Sequence, residues 1–309
     1  MAVRGGARLW GLPLVALLLC LVFGLMDPRF ASLSNAQNIL RQSSILLVVA
    51  LAQTFVILSG GLDLSIGSVI GVANVLGAMV AVAHGFLPGV LTMLAVGAAC
   101  GAVNGGLVAL FRVSPLIVTL GMLSLARGAA LIITDGMTVG GLPKTFVALG
   151  WETLGPIPVI AILAAAGFLF GWVLLGRTVA GRYWYHIGGN EEAARLSGVP
   201  VRHYKLLAFL MSGALAGLAA LLHTARSASG HPLAGVGLEL SSIAASVLGG
   251  ISLRGGEGRP VGVLFGVLIF AILGNGLTLL GFSSYLQLMI MGAIFIAAVW
   301  LDLRSQPPA

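Results

Sequence analysis

The residues that could do chemistry in this chain are few, and the densest group of them lies in one polar segment. Between Arg177 and Lys205 the sequence carries five of the sixteen Lys and Arg residues. Strong helix formers run from Glu191 to Leu196, and Gly198, which can end a helix, follows them. Apolar runs flank the segment, so residues 177–203 predict a loop between membrane helices that presents a short helix to a docking partner. The residues predicted for docking are Asn190, Glu191, Glu192, Ala193, Ala194, Arg195 and Gly198.

Two acidic residues lie in a short motif that occurs twice. Gly61-Leu62-Asp63-Leu64-Ser65 recurs as Gly237-Leu238-Glu239-Leu240-Ser241, 176 residues later. Each acid stands where a helix is expected to begin, and there the helix dipole and unpaired N–H groups stabilise a carboxylate. Acids at membrane depth are costly and usually face a polar interior, so the pair also predicts the lining of a solute pathway. The two interpretations are compatible.

Uncharged polar side chains are spread over stretches that are otherwise apolar. Amides and hydroxyls can replace water around a neutral polyhydroxy solute, whereas an ion pathway favours rings of charge. In lipid the same groups also hold helices together by hydrogen bonds, and that alternative stays open for about half of them. The predicted pathway residues are Asp63, Ser65, Asn74, Asn104, Thr119, Arg127, Glu239 and Asn275.

Enzymatic chemistry has little support in this sequence. The patterns G-x-x-x-x-G-K-[ST], G-x-S-x-G, H-E-x-x-H and G-x-G-x-x-G do not occur. The five histidines are dispersed, and Cys20 and Cys100 both lie in apolar runs. We therefore expect no catalytic residue, no cofactor site and no metal site in this chain, and no ATPase motif of its own.

The composition places most of the protein surface in lipid. Hydrophobic residues make up 59% of the 309 residues and charged residues 8%, against roughly 25% charged residues in a soluble domain. The mean hydropathy is +1.09. The net charge of +7 comes from cations scattered singly between apolar runs, which excludes a nucleic-acid surface and points to membrane orientation.

Ten apolar stretches are long enough, or nearly so, to cross a bilayer. The first is expected to remain as an uncleaved helix, because no small-x-small cleavage site follows it. The stretches 43–58 and 239–252 are short, a feature that marks translocation sites in transporters. The ten fall near residues 9–26, 43–58, 66–83, 87–111, 114–133, 157–175, 204–225, 239–252, 260–281 and 285–301.

The distribution of cations predicts the orientation. With the N-terminus inside, eleven Lys and Arg lie at cytoplasmic ends and four lie outside, which favours two cytoplasmic termini. The tails would be residues 1–8 and 303–309, and the sizeable outer loop residues 134–156. Five spans separate Asp63 from Glu239, and Asn104-Gly105 is echoed by Asn275-Gly276. We therefore predict an all-α polytopic protein of about ten helices in two inverted five-helix repeats.

Glycines recur at helical spacing in several of these stretches. Gly97, Gly101 and Gly105 form one ladder, and Gly213/Gly217 and Gly262/Gly266 repeat the spacing. Small residues allow helix backbones to approach closely in lipid, so the ladders predict tight helix contacts.

Several motifs together carry a resemblance to a known family. The sequence resembles the membrane permease subunit of bacterial carbohydrate ABC importers, the ribose/xylose type, over roughly residues 10–303. The compact segment 134–156 does not clearly resemble the ribose permease, so the resemblance implies a carbohydrate without assigning ribose. The motifs are residues 59–68 (SGGLDLSIGS), Asn104-Gly105, residues 115–122 (PLIVTLGM), Arg127-Gly128, residues 188–198 (GGNEEAARLSG) and residues 247–250 (VLGG).

The resemblance implies one permease domain over residues 1–309 in a bacterial inner membrane, importing a monosaccharide or small polyol. It implies a second permease copy or a sister permease, ATP-binding subunits that hold ATP and Mg, and an extracytoplasmic solute-binding protein. It also implies that the helix around Glu192 is the coupling helix that contacts the ATPase. A branched-chain amino acid or nucleoside permease of the same superfamily stays open as an alternative, as does an ion-coupled secondary transporter.

Overall fold

The computed structural model describes the backbone of residues 4–304 and the side chains of residues 11–300. The side chains of the predicted tails, residues 1–8 and 303–309, lie outside the described residues. Within the described range the protein is all-α apart from one short hairpin, β1 (Thr153–Leu154) with β2 (Ile157–Pro158). The all-α prediction is confirmed. The helices are α1 (Arg4–Met26), α2 (Leu33–Leu58), α3 (Ile66–His84), α4 (Phe86–Ala109), α5 (Pro115–Thr134), α6 (Lys144–Trp151), α7 (Val159–Arg177), α8 (Val179–Gly189), α9 (Glu191–Leu196), α10 (Val201–Ser227), α11 (Leu238–Leu248), α12 (Pro260–Leu279) and α13 (Ser284–Arg304).

Most of these helices are built for a bilayer. Seven of them (α2, α3, α4, α5, α7, α10 and α12) are long and apolar enough to cross a membrane. Three further apolar helices are shorter over the described residues: Gly11–Met26, Leu238–Leu248 and Ser284–Trp300. Each apolar stretch predicted from the sequence coincides with one of these helices, and the protein is a multi-pass membrane protein.

The two stretches predicted to be short behave differently. α11 is interrupted, because it begins after Gly237 and ends after 11 residues at Gly249 and Gly250. The prediction for residues 43–58 is wrong. α2 begins at Leu33, ten residues earlier, where the Ser32 hydroxyl accepts a hydrogen bond from the N–H of Asn35 at 3.2 Å.

Tertiary contacts explain the longer α2. Arg41 is 7% exposed, donates to the carbonyl of Trp151 at 3.0 Å, and lies over the Trp151 ring at 5.4 Å from its centroid. Hydropathy alone predicts that the span begins only after Arg41. The protein supplies polar and aromatic partners, so the helix continues through it.

The centre of the bundle is the packing of α10 against α2, α3 and α4. The glycine ladders of α4 and α10 face each other there. A Cβ placed on Gly101 would lie 3.0 Å from the Cα of Gly213, and one on Gly97 would lie 2.7 Å from the backbone nitrogen of Gly217. The predicted close approach of helix backbones is confirmed for this pair.

The segment 134–156 folds down onto the bundle. It contains α6 and the first strand of the hairpin, and Val139 pairs with Gly230 across two backbone hydrogen bonds of 2.8 and 2.9 Å. Phe146 of α6 is fully buried and meets the Phe86 ring edge to face at 4.8 Å.

The helix ends meet in two groups. At the end that we call the α9 end, the N–H of Gly256 donates to the carbonyl of Leu58 at 3.2 Å, which joins the α11–α12 connection to the C-terminus of α2. At the α6 end, Arg29 donates to the carbonyl of Leu279 at 3.2 Å and Gln37 to that of Pro156 at 3.3 Å. The loop from Ser59 to Ser65 lies at the α9 end, and residues 228–237 lie at the α6 end.

Candidate functional site

The short helix predicted for docking is present as α9, and Gly198 follows it as predicted. Asn190 begins it, because its Oδ1 accepts the N–H of Ala193 at 2.9 Å. Gly198 ends the turn that follows, with a φ of +80° and a hydrogen bond from its N–H to the carbonyl of Arg195 at 3.1 Å. The short helix therefore has both termini satisfied by groups encoded within nine residues.

The charged side chains of α9 stand on its outer side. Arg195 pairs with Glu192 at 2.5 Å, and Lys205 of α10 pairs with Glu191 at 2.5 Å. The hydrogen bonds from Arg195 hold the pKa of Glu192 below its usual range, so this pair forms above that pKa and is lost as the pH falls through it. Exposed pairs contribute little to stability, which leaves these charges free to exchange partners on docking.

The apolar side chains of α9 divide between an inner and an outer face. Ala194 is 4% exposed and packs with Ile187 and Val199. Ala193 is exposed, and Leu196 is 74% exposed. The helix is anchored by one small residue and offers a large apolar side chain between its charges, a combination typical of protein docking surfaces.

A groove of about 1000 Å³ runs beside α9. Its walls are the α4–α5 turn on one side and α9 with the start of α10 on the other. Four cations line it together with the two acids of α9. The charged lining residues are Arg112, Glu191, Glu192, Arg195, Arg202 and Lys205.

α8 connects α9 to the bundle, and the sequence analysis did not predict this helix. Trp184 is fully buried, meets the Phe55 ring of α2 edge to face at 5.1 Å, and donates from Nε1 to the carbonyl of Tyr204 at 2.7 Å. Tyr185 donates to the carbonyl of Gly258 at 3.0 Å, and burial raises its pKa to about 12, so it stays a neutral donor. The signal was the run Tyr183-Trp184-Tyr185 inside a polar loop, which holds three of the nine Trp and Tyr residues.

Glycines bring three chain segments together behind α8. A Cβ on Gly255 would lie 3.0 Å from the Cα atoms of both Gly60 and Gly188. Gly255 also has a φ of +87°, which other residues rarely adopt. Helix α8 is therefore in direct backbone contact with the loop after α2 and with the α11–α12 connection.

A buried hydrogen-bonded cluster surrounds Asp63 near the same end. The Asp63 carboxyl group accepts the N–H and the hydroxyl of Ser65, at 3.0 and 2.6 Å, and the hydroxyl of Ser212 at 2.8 Å. Asn104 donates to the Ser65 hydroxyl at 2.9 Å. All four residues are at most 2% exposed. Ser212 was not predicted, and as one serine in an apolar helix it gave no signal.

Two more polar residues extend this cluster. Thr119 of α5 is buried and donates to the carbonyl of Leu62 at 3.3 Å. The amide of Gln53, oriented to satisfy both partners, bridges the backbone of Asp63 at 3.0 and 3.2 Å. The cluster thus joins α2, α3, α4, α5 and α10 around one motif.

Three other predicted residues lie around the segment 228–237 at the α6 end. Arg127 donates to the carbonyls of Pro232 and Ala234 at 2.6 and 3.2 Å. Asn74 accepts the N–H of His231 at 2.5 Å. Glu239 accepts the N–H of Gly237 at 3.1 Å through Oε1, whereas its Oε2 is buried without a hydrogen bond among the described residues.

The eighth predicted pathway residue stands apart. Asn275 of α12 and Asn35 of α2 exchange two amide hydrogen bonds of 2.9 and 2.8 Å. The structure therefore brings Asp63, Ser65, Asn104 and Thr119 together at one end, and it places the other predicted residues elsewhere. In residues 11–300 no group of three or more His, Cys, Asp or Glu side chains is close enough to hold a metal ion.

Comparison of the sequence with known proteins matches the chain to one family. The family model described as "Branched-chain amino acid transport system / permease component" matches residues 35–299. The ribose import permease protein RbsC of Escherichia coli (strain K12) is 41% identical, over 95% of this chain and 93% of that protein. This chain belongs to the permease family.

Two further relatives of the permease are named for other sugars. The D-allose transport system permease protein AlsC and the L-arabinose transport system permease protein AraH, both of Escherichia coli (strain K12), are each 37% identical. The alignments cover 91% and 97% of the permease and 87% and 92% of these relatives. No solved structure matches it. The predicted family resemblance is confirmed, and these relatives are transport components rather than enzymes.

Proposed function

We propose that this permease is the membrane subunit of an ABC importer that carries a monosaccharide or a related small polyol inward. The observation that carries the proposal is α9, a capped helix with exposed charges and an exposed Leu196, placed beside a charged groove. Relatives named for ribose, allose and arabinose support the sugar cargo. The buried clusters of amides and hydroxyls agree with an uncharged solute.

Energy comes from partners in this proposal. ATP-binding cassette subunits hold ATP and Mg and dock on α9, with Asn190, Glu192 and Arg195 presenting the surface. An extracytoplasmic solute-binding protein delivers the sugar at the α6 end. A second permease copy or a sister permease completes the channel in the inner membrane. Relatives that are permease components of import systems support these partners.

The contacts of α8 suggest how docking moves the bundle. Trp184 packs on α2, Tyr185 bonds to the α11–α12 connection, and Lys205 pairs α10 with α9. A displacement of α9 by the ATPase is then carried to α2, α10 and α12 through contacts that already exist. Packed side chains and hydrogen bonds of this kind transmit displacement between rigid elements.

Two inverted halves, with both termini cytoplasmic, are part of the proposal. Hydrogen-bonded pairs at matching positions support it. Thr54 of α2 meets Ser246 of α11 at 3.5 Å, and Thr224 of α10 accepts from Asn74 of α3 at 2.5 Å. In an inverted repeat α2 corresponds to α10 and α3 corresponds to α11. The hydrogen bond between α2 and α11 then corresponds to the one between α10 and α3.

The rival cargoes share the architecture and differ in chemistry. The description of the family model favours a branched-chain amino acid, whose carboxylate and ammonium groups need charged partners. The apolar spans carry mainly hydroxyls and amides and few fixed charges, which suits a sugar better. An ion-coupled secondary transporter has no use for α9.

Charge reversal on α9 tests the proposal. We expect Glu192→Arg with Arg195→Glu to keep the pair within the helix and the folded yield, but to abolish ATP-dependent sugar uptake. The reason is that the partner then meets the opposite charge pattern, which suppresses docking. The measurement is uptake of labelled ribose, allose and arabinose, with co-purification of the ATPase from detergent-solubilised native membranes.

Glu152→Lys, an exposed acid at the α6 end, is the matched control and is expected to keep both uptake and the ATPase. Full uptake by the double reversal at normal expression would contradict docking on α9. A wild-type permease that carries solute in ATP-free vesicles under an ion gradient would move the function to a secondary transporter.

A further inference from the structure

A second cavity lies inside the bundle at the α6 end, away from the α9 groove. Its volume is about 360 Å³, within the range of roughly 300–1,000 Å³ found for small-molecule sites. Its walls come from α2, α10, α11, α12, α13 and the segment 228–237. Polar and apolar side chains share the lining, with Gln42, His223, Arg226 and Ser241 among the former and Phe270 and Met291 among the latter.

Two polar side chains of this cavity have groups without a partner among the described residues, whereas Ser241 donates to the carbonyl of Gly237 at 2.9 Å. Arg226 is half-buried and makes no hydrogen bond or ion pair within residues 11–300. Its closest charged neighbours include Arg41, which repels it. The Nδ1 atom of His223 is buried without a hydrogen bond in the same range. Native proteins rarely leave a buried polar atom such as this Nδ1 unsatisfied, and the half-buried Arg226 guanidinium is available to a polar occupant.

The position of this cavity relates it to the Asp63 cluster. Ser241 occupies the position of Ser65 in the repeated sequence motif. Gln42 precedes Ser212 by 170 residues, and His223 follows Gln53 by 170 residues. Around Asp63 the two serines donate to the carboxyl group, and Gln53 bridges the Asp63 backbone. The corresponding residues Ser241, Gln42 and His223 line a cavity instead.

From this geometry we propose that the permease itself holds a monosaccharide in the cavity at Ser241. The proposal rests on the sugar-import function and adds a site to it. A guanidinium presents paired donors to neighbouring hydroxyls, and the Gln42 amide supplies an acceptor. Phe270 and Met291 suit the apolar C–H face of the ring. The sugar delivered at the α6 end would then bind in this cavity before it passes between the helices.

A single cysteine in the cavity tests this directly. In a Cys20→Ala/Cys100→Ala background, Ser241→Cys places the protein's one thiol in the lining. We expect D-ribose, D-allose or L-arabinose to slow its modification by a methanethiosulfonate reagent in nanodiscs, without ATP or binding protein. A cysteine at exposed Ser34, at the same end, is the control and should react equally fast with and without sugar.

A second substitution assigns the effect to the cavity. Arg226→Gln in the Ser241→Cys protein should raise the half-protecting sugar concentration about tenfold, the loss expected for one charged hydrogen bond. Arg29→Gln, whose side chain is 73% exposed at the same end, should not change it. If Arg226→Gln fails to fold, protection in the single-cysteine protein alone still decides the proposal.

The outcomes separate this site from the transport function. A thiol that reacts but is protected by none of the sugars, in a protein that still imports one of them, overturns the cavity site and leaves the function standing. Protection by D-glucuronate alone overturns the neutral-sugar assignment. Absence of uptake for every sugar in wild-type cells overturns the proposed cargo instead.

Discussion

At the residue scale, the same polar residue types serve two purposes in this permease. The hydroxyls and carboxyl group around Asp63 are paired with one another and fully buried, so they stabilise the bundle. The groups around Ser241 border a cavity. The residue types are similar in the two places, and the difference is that only the groups around Ser241 have open space beside them.

Substitution of Asp63 should therefore lower stability. Asp63→Ala removes the acceptor for two hydroxyls and one N–H and should destabilise the protein by about 3 kcal/mol, because buried donors are left unpaired. Asp63→Asn keeps one acceptor oxygen and should cost clearly less. Thermal unfolding in detergent measures both. Asp135→Asn, an exposed aspartate with a φ of +49°, is the matched control, and equal melting of Asp63→Ala and wild type would contradict the structural role.

At the element scale, the bundle depends on backbones that touch. α4 and α10 approach through Gly97, Gly101, Gly213 and Gly217. In lipid no hydrophobic force drives helices together, so contact area between smooth surfaces supplies the attraction. α8 adds a different kind of contact, since Trp184 fills space between α2 and α10 with a large ring.

A valine on the glycine ladder should separate the two central helices. Gly101→Val places side-chain atoms against the backbone of Phe209 and Gly213, and the overpacking should cost about 1–3 kcal/mol or reduce the folded yield. Gly106→Val on the same helix meets nothing within 4 Å and carries the same change in helix propensity. Size-exclusion profiles and melting temperatures compare the two. Equal loss in both variants would show that propensity, and not contact with α10, is responsible.

At the scale of the whole molecule, the two ends of the bundle carry different structural features. The α9 end carries α9 itself, the charged groove and the glycine contact of three segments. The α6 end carries the folded segment 134–156, the loop 228–237 and the open cavity. An importer needs a motor on one side and a solute entrance on the other, and the two ends provide separate surfaces for them.

Labelling of single cysteines tests the orientation of these ends. In the same cysteine-free background, Ser34→Cys should react with a membrane-impermeant thiol reagent on intact cells. Ser197→Cys, exposed beside α9, should react only after the membrane is opened. The pattern follows from cytoplasmic placement of the cation-rich loops. Labelling of Ser197→Cys on intact cells would reverse the topology and remove α9 from reach of an ATPase.

Much of this fold could be predicted from local patterns. Helix α9 follows from Asn190, its acids and Gly198, because capping groups act within a few residues of the helix they end. The interrupted α11 follows from its glycines. The start of α2 could not be predicted, because Arg41 is accommodated by Trp151, a residue 110 positions away.

The sequence by itself determined that the permease crosses a membrane many times, which loop carries the short capped helix α9, and which family it belongs to. Those properties reside in composition, in caps and in motifs, which are local. Only the tertiary structure decided that Asp63 is sealed by Ser212 while Ser241 borders a cavity. Helix rotation and the fit of distant side chains set that difference, and one sequence does not contain either in readable form.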